Sequence, residues 1–228
     1  MLHTRAERVS TVVAAILGKK IGMTRVFDER GRSTPVTVIQ AGPCHVLQVK
    51  NVDTDGYDAV QIGFDDAKSG RATQPIIGHC AKAGVRPKRF IREIRLSEPA
   101  DREAGDEVTV SDFSDAEVKW VDVIGISRGF GFQGVMKRHG FKGFPKSHGT
   151  ERKHRAPGGI GANSGNLGLG RCIKKGKKMA GHMGAVRRTI RNQRLVSVDP
   201  DRNVLVIEGC VPGARGGYLL IRQSKTKT

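Results

Sequence analysis

The residues of this sequence that could carry chemistry are concentrated in one internal block, residues 126–194. The block holds 17 Lys and Arg residues against one acidic residue, Glu151, and it contains 15 of the 30 glycines of the 228-residue chain. Residues 1–125 hold 18 basic and 18 acidic residues, so nearly all of the net charge of +18 lies in the block. Like charges on a glycine-rich backbone oppose folding alone and suit close contact with phosphate. The composition therefore predicts a segment that becomes ordered on nucleic acid.

The side chains of the block supply several kinds of contact with a nucleic acid. Arg can bind a phosphate through two parallel hydrogen bonds or stack on a base, Lys supplies a point charge, and His and Phe offer stacking surfaces. These residue types fit DNA as well as RNA, but irregular glycine-rich backbone fits folded RNA better than a uniform duplex groove, so RNA is the preferred partner. The predicted RNA-binding residues are Arg128, Lys137, Arg138, Lys142, His148, Arg152, Lys153, His154, Arg155, Arg171, Lys174, Lys175, Lys177, Lys178, His182, Arg187 and Arg188. Four phenylalanines either stack on bases or pack within the fold: Phe130, Phe132, Phe141 and Phe144.

Two charged segments leave alternatives open. The block could instead be a solvated basic linker, although strand-like sequence resumes after it and returns the chain to a core. Residues 88–96 alternate basic and apolar side chains. That pattern fits either a strand with one solvated face or a second surface that contacts RNA.

One glycine motif resembles a dinucleotide-binding sequence. Residues 129–134 fit the pattern G-x-G-x-x-G and follow a predicted strand. The full fingerprint also needs a helix that opens at the third glycine and a parallel strand after that helix. Gly140, Gly143 and Pro145 follow closely among basic residues, and this composition predicts no such helix.

No other arrangement of residues predicts catalysis, a cofactor or a metal site. Gly176-Lys177 resembles part of a phosphate loop, but Arg171 stands where its first glycine belongs and Lys178 where Ser or Thr would hold magnesium. The histidines form no HxxxH pair and the cysteines no CxxC pair, so the four cysteines are predicted to be free thiols. We predict no enzyme, no cofactor and no small-molecule substrate, with a nucleotide-dependent enzyme as the alternative that the partial glycine motif suggests.

The elements around the block are predicted to be mostly short strands. Residues 17–65 show alternating strand patterns interrupted by turn sequences, which is typical of a sandwich or barrel. A short helix is predicted at residues 75–83, opened by Pro75 and closed by Gly84. Further strands are predicted at residues 88–96, 106–110, 118–126, 195–198, 203–208 and 218–222. We expect a mainly-β fold with the basic block inserted between two strands of one barrel.

This pattern divides the chain into predicted domains. They are an N-terminal extension at 1–15, a β-barrel domain at 16–126 and 195–222 with an inserted segment at about 66–105, a basic extension at 127–194 that is predicted to bind RNA, and a C-terminal tail at 223–228 whose last five residues are expected to fray. No apolar run approaches 18 residues, so no membrane-spanning helix and no membrane partner are predicted. A signal peptide at the start is the alternative, but its apolar run is broken by Ser10 and Thr11 and is followed by two lysines.

Several long runs of the sequence resemble the universal large-subunit ribosomal protein L3 family in its bacterial form. The runs are ILGKKIGMTRVF (16–27), PVTVIQAGPC (35–44), DGYDAVQIGF (55–64), GHCAKAGV (78–85), VDVIGISRGFGFQGVMKRHGF (121–141), SHGTERKHRAPGGIG (147–161), KGKKMAGHMG (175–184) and VLVIEGCVPGARGG (204–217). They are long, occur in order and cover nearly all of residues 16–222, which makes the resemblance specific.

The resemblance implies a β-barrel of the translation-protein type on the outside of the large ribosomal subunit. It further implies that the extension passes through ribosomal RNA toward the peptidyl-transferase centre and supports the RNA there without catalysing a reaction. The implied partners are large-subunit (23S-type) rRNA and neighbouring ribosomal proteins, in the cytoplasm, with a role early in subunit assembly. A free-standing RNA chaperone or regulator is the alternative.

The sequence departs from the family pattern at the tip of the extension. The resemblance places this tip at Gly161, Ala162, Asn163 and Ser164. Many bacterial members carry a methylated glutamine where this chain has Ala162, so no methylation is expected there. The tip is also a few residues longer than usual. His139 stands where a tryptophan is common, so no stacked tryptophan ring is carried over to that position.

Overall fold

The computed structural model describes residues 14–68, 70–96, 99–161, 173 and 175–227, and it divides into two compact units. The barrel unit comprises the described residues up to Ile126 and from Arg187 onward, and the basic unit comprises those from Ser127 to Val186. The strands are β1 (Ala15–Phe27), β2 (Ser33–Ala41), β3 (Cys44–Lys50), β4 (Ala59–Asp66), β5 (Lys88–Arg95), β6 (Glu107–Val108), β7 (Trp120–Ile126), β8 (Gly131–Gln133), β9 (Gly181–Met183), β10 (Arg187–Asp199), β11 (Val204–Glu208) and β12 (Tyr218–Gln223). The helices are α1 (Val52–Asp55), α2 (Gln74–Lys82), α3 (Ser111–Asp115) and α4 (Val135–His139).

Six strands of the barrel unit form a closed antiparallel barrel. Their order is β1-β12-β7-β10-β11-β2, and β2 closes the ring against β1. The prediction of a mainly-β fold is confirmed. Strands β7 and β10 precede and follow the basic unit in the sequence, yet they lie side by side with Ile126 opposite Arg187. The chain therefore leaves the barrel and returns to it at neighbouring strands.

The remaining four strands of the barrel unit form a separate sheet in the order β5-β4-β3-β6. The sequence analysis expected one barrel, so this second sheet is a correction. Strand β5 lies in the segment predicted to be an insertion, yet it pairs along its length with β4, because consecutive strands usually pair. One apolar cluster joins the two sheets, with Ile16 and Leu17 of β1 packed in the same core as Ile62 of β4.

Tyr218 of β12 attaches the barrel to the second sheet. Its ring stacks on Phe90 of β5 with the centroids 4.8 Å apart and the planes at 11°. Its hydroxyl donates a hydrogen bond to Oδ2 of Asp65 at 2.5 Å. Burial raises the pKa of Tyr218, and the hydrogen bond to Asp65 raises it further. The hydroxyl therefore remains a donor at neutral pH.

The short helices and strands show where the local sequence pattern predicted an element correctly and where it did not. The predicted helix at 75–83 is confirmed as α2. The strands predicted at 195–198 and 203–208 are confirmed as parts of β10 and β11, which pair antiparallel. Helices α1 and α3 were not predicted. Helix α1 is a single turn closed by Gly56 in the left-handed conformation, where a turn was expected. Helix α3 cuts the predicted strand at 106–110 to two residues because Phe113 inserts its ring into the apolar cluster.

The prediction of a frayed C-terminal tail is wrong for residues 224–227. The hydroxyls of Ser224 and Thr226 both donate to Oδ1 of Asn192, at 2.5 and 2.9 Å. The Nζ atom of Lys227 lies 3.4 Å from the centroid of the Trp120 ring. Asn192 sits in a bulge of β10 with a left-handed φ of 56°. The bulge turns its amide oxygen toward the tail, which no local pattern in the sequence could reveal.

The cysteines in the described part of the chain are free, as predicted. Cys44 and Cys80 are buried and Cys210 is exposed, whereas Cys172 lies outside the described residues. Burial raises the pKa of the Cys44 thiol to about 12, so Cys44 packs as a small neutral side chain. In the same described ranges, no helix is both long and apolar enough to cross a membrane.

Two glycines of β1 test how closely the barrel strands pack. A Cβ at Gly18 would lie 2.7 Å from the carbonyl oxygen of Gln40 and 3.2 Å from Cα of Ala41, whereas a Cβ at Gly22 would have nothing within 4 Å. We expect Gly18→Ala to lower the free energy of unfolding by about 1–3 kcal/mol because neighbouring backbone must shift. Gly22→Ala should change it by less than about 1 kcal/mol. Urea titration of both variants measures the difference, and equal stabilities would contradict this account.

Candidate nucleic-acid interface

The basic unit is built on a two-stranded ribbon that joins its two ends. Strands β8 and β9 pair with Phe132 opposite His182. Toward the ends of the unit, the amide of Phe130 donates to the carbonyl of Met183 and the amide of Ser127 to the carbonyl of Val186, both at 2.9 Å. The described part of the block therefore has a hydrogen-bonded scaffold of its own. The sequence analysis missed this scaffold because composition alone argued against any order in the block.

Gly184 allows the two sides of the ribbon to approach. Its φ is 78°, and a Cβ on it would overlap the carbonyl oxygen of Arg128 on the facing segment. Ala185 follows with a φ of 51°, and its amide donates to the carbonyl of Ser127 at 3.2 Å. Two successive left-handed residues, the first without a side chain, let the chain bend while it stays bonded across the ribbon.

A helix opens at the third glycine of the G-x-G-x-x-G motif, contrary to the prediction. Helix α4 follows Gly134 directly and ends after five residues at Gly140, whose φ is 72°. The prediction failed because a single helical turn tolerates the flanking glycines that would break a longer helix. Strand β8 nevertheless pairs antiparallel with β9, whereas a dinucleotide fingerprint requires a long helix followed by a parallel strand.

Arg138 and His139 at the end of α4 face another segment of the same unit. Nη1 of Arg138 donates to the carbonyl of Met179 at 2.7 Å, and Nε2 of His139 lies 3.1 Å from the same oxygen. A Cβ at Gly181 would lie 2.7 Å from Nη1 of Arg138, so the guanidinium lies directly on the β9 backbone. Arg138, predicted to contact RNA, thus positions the ribbon and is only half-exposed.

His154 closes a loop in the middle of the unit. Its carbonyl accepts a hydrogen bond from the amide of Phe144 at 3.0 Å, and its Nδ1 lies 3.0 Å from the carbonyl of Pro145. Gly143 comes so close to the same His154 carbonyl that a Cβ would overlap it. The predicted RNA-binding role of His154 is therefore combined with an internal hydrogen bond, and its ring is half-buried.

Most of the remaining predicted residues are exposed cations. Exposed side chains belong to Arg128, Lys137, Lys142, His148, Arg152, Lys153, Arg155, Lys175, Lys177, Lys178 and His182. Within the described part of the basic unit no cation forms an ion pair, and its one acidic residue, Glu151, is exposed and unpaired. The barrel unit differs, because Lys88 pairs with Asp66 at 2.7 Å and Arg102 with Asp112 at 2.7 Å. An array of uncompensated cations is what a polyanion neutralises.

The four phenylalanines of the basic unit differ in how far their rings are exposed. Phe130 is partly exposed, with Nζ of Lys137 at 4.9 Å and Cζ of Arg128 at 5.9 Å from its ring centroid. Phe141 is half-buried against His139. Phe144 is 46 % exposed and Phe132 is 78 % exposed. Phe132 is thus the most exposed of these four rings.

Several predicted residues lie outside this unit or outside the described residues. Arg187 and Arg188 lie on β10 of the barrel unit, because that strand begins at Arg187 and not at residue 195 as predicted. Both are exposed, as is Gly161 at the predicted tip. Five predicted residues fall outside the described ranges: Ala162, Asn163, Ser164, Arg171 and Lys174.

Sequence reasoning omitted some exposed cations. Lys146 lies in the loop that His154 closes and is exposed, and its membership of the basic block was signal enough to include it. Arg191 and Arg194 of β10 are also exposed, and they too could have been included because they belong to the basic block. On β5, Lys88 is buried, while Arg92 and Arg95 are exposed and lie over the rings of Phe90 and Tyr57 at 4.5 and 4.6 Å. Contact of this strand with RNA stays a prediction.

The comparisons with known proteins agree on one family. The family described as Ribosomal protein L3 matches residues 98–204. The large ribosomal subunit protein uL3 of Geobacillus thermodenitrificans is 51 % identical over 209 residues, which cover 92 % of this chain and 95 % of the relative. The protein of that name from Acidothermus cellulolyticus is 49 % identical over 210 residues, 92 % of each chain. That from Corynebacterium efficiens is 47 % identical over 210 residues, 92 % of this chain and 94 % of the relative.

Gly184 and Gly129 form a matched pair on opposite sides of the ribbon. We expect Gly184→Ala to cost about 1–3 kcal/mol in local stability, because of its left-handed φ and the overlap with the Arg128 carbonyl. Amide exchange of Phe130 should then become about 5- to 150-fold faster. Gly129→Ala should leave the exchange unchanged, since its Cβ would meet only Cβ of Ala185 at 3.5 Å. Hydrogen-exchange mass spectrometry checks both variants, and identical rates would refute the role of Gly184.

Proposed function

Because this chain belongs to the ribosomal protein L3 family, we propose that it is a structural constituent of the large ribosomal subunit, in the cytoplasm, and binds large-subunit (23S-type) rRNA. The family assignment made from the sequence motifs is confirmed by the identities over 92 % of the chain. Because the relatives are ribosomal proteins, the prediction that the chain is not an enzyme is confirmed as well.

One observation carries the proposal of RNA binding. The described cations of the basic unit are mostly exposed and none is paired with a carboxylate, although carboxylates pair with cations repeatedly in the barrel unit. An exposed array of this kind repels itself in water, and binding to phosphates releases the condensed counterions. RNA is therefore the partner that turns an unfavourable charge distribution into a favourable one.

The proposed arrangement is a barrel of the translation-protein type with a long extension. The barrel would lie at the outside of the subunit, and residues 127–194 would pass through rRNA toward the peptidyl-transferase centre, with residues 161–164 at the tip. The pairing of Ile126 with Arg187 supports an inserted arm, because both ends of the basic unit then start from adjacent strands. The extension would support RNA near that centre, and the barrel would contact neighbouring ribosomal proteins.

A role in early assembly follows from the proposed path of the extension through the RNA. A long cationic segment that runs between RNA helices must be in place before those helices pack, since threading afterward would require them to separate. We therefore propose that the chain binds rRNA early and nucleates the folding of the RNA around its extension.

Quantitative mass spectrometry across a sucrose gradient, after a high-salt wash, tests membership of the subunit. We expect about one copy per large subunit, retained through the wash, because an extension enclosed by folded RNA cannot dissociate without unfolding that RNA. Loss in the wash, or an excess in the light fractions, would point instead to a free RNA chaperone that uses the same basic unit.

The salt dependence of RNA binding tests the role of the lysine run. Replacing Lys174, Lys175, Lys177 and Lys178 with Ala should flatten the log–log slope of affinity against salt by about 3, at about 0.7–0.9 per lost phosphate contact. A matched control replaces four lysines outside the basic block, Lys68, Lys82, Lys119 and Lys225, all exposed. The control should leave the slope unchanged. An equal change in both variants would show that only total charge matters.

A further inference from the structure

We propose that Phe132 and His182 form a stacking platform for an unpaired base of the rRNA. This inference rests on the proposed function and adds a site to it. The two rings are directly opposite each other on the antiparallel pair of β8 and β9, so their side chains project side by side from the same face of the ribbon. Both side chains are exposed.

The ribbon has one covered face and one open face. The guanidinium of Arg138 lies against Gly181 and donates to the carbonyl of Met179, so α4 covers the side of the ribbon on which Gly181 would carry a side chain. Gly181 is opposite Gln133, and both are half-buried. Since neighbouring strand residues project to opposite faces, Phe132 and His182 lie on the other face.

The exposure of Phe132 is too large for a core residue. At 78 %, its ring is the most exposed of the large apolar side chains in the described chain, and no ring or cation in that part of the chain stacks on it. Phe130, two residues earlier, is by contrast close to both Arg128 and Lys137. An exposed ring held on a hydrogen-bonded ribbon loses little entropy when a flat partner packs on it.

The charge of the basic unit favours RNA over a protein as that partner. Arg128, Lys137, Lys175 and Lys177 belong to the same unit, are exposed and form no ion pair within the described residues. An apolar protein surface docked on this unit would supply no counterions for these cations. RNA supplies both a stacking partner and counterions, because a base can stack on the ring while phosphates neutralise the cations.

The platform is tested by substitutions at Phe132 that keep an apolar side chain but remove the aromatic ring, compared with one that keeps an aromatic ring. Binding of the full-length protein to protein-free large-subunit rRNA would be compared for the wild type, Phe132→Leu and Phe132→Trp. We expect Phe132→Leu to weaken binding at least about fivefold and Phe132→Trp to stay within about twofold, since stacking needs an aromatic face. Phe27→Leu is the matched control, because Phe27 is 65 % exposed but lies on β1, outside the basic unit. At His182, His182→Leu should weaken binding and His182→Phe should retain it.

Ultraviolet crosslinking of purified large subunits gives an independent readout. A nucleotide adduct on Phe132 or His182, mapped by mass spectrometry, is the expected result. Equal weakening by Phe132→Leu and Phe27→Leu would overturn the platform, and so would a crosslink from Phe132 to a ribosomal protein. If Phe132→Leu binds as the wild type while the lysine substitutions flatten the salt slope, the platform is wrong and RNA binding stands. Absence of RNA binding by the wild type would instead refute the proposed function itself.

Discussion

The pairing of β7 with β10 is the contact on which both units of this protein depend. The two strands are separated by the whole basic unit in the sequence, yet Ile126 lies opposite Arg187 and the ladder continues toward Trp120. Closing the barrel requires this pairing, because β7 and β10 are neighbours in the ring of six strands. It also fixes the distance between the two ends of the basic unit, which then continue as the bonded pair of Ser127 and Val186. A segment of this composition benefits from having its two ends held close together, since it buries little apolar surface of its own.

Charge is treated differently in the two units. In the barrel unit, buried or partly buried cations have partners: Lys88 is buried and paired with Asp66, and the buried carboxylate of Asp122 accepts from Arg222 at 3.3 Å. Such pairing offsets the cost of taking a charge out of water. In the part of the basic unit that the structure describes, most cations are exposed and none forms an ion pair. The barrel unit thus carries its own counterions, whereas the described part of the basic unit does not.

Glycine permits close backbone contacts in both units. In the barrel, Gly125 of β7 leaves room for the side chain of Leu219 on the neighbouring strand. In the basic unit, Gly184 faces a carbonyl and Gly181 faces the guanidinium of Arg138. The high glycine content was interpreted as a cause of disorder, and at these positions it has the opposite effect. Removal of the side chain allows hydrogen bonds that build a scaffold where apolar packing is scarce.

The sequence by itself determined the family, the mainly-β class and the location of the surplus charge. These depend on the order of residues and on local alternation, which motifs and composition express directly. Only the tertiary structure decided which cations are free. Arg138 and His154 turn toward carbonyl groups of their own unit, and Lys88 turns inward, while Phe132 stays in solvent. Each of these outcomes depends on a neighbour from a different part of the chain. Arg138 and Met179, for example, are 41 residues apart in the sequence. No local pattern specifies such a neighbour, so the residue types predicted the chemistry of the site but not which side chains remain available for it.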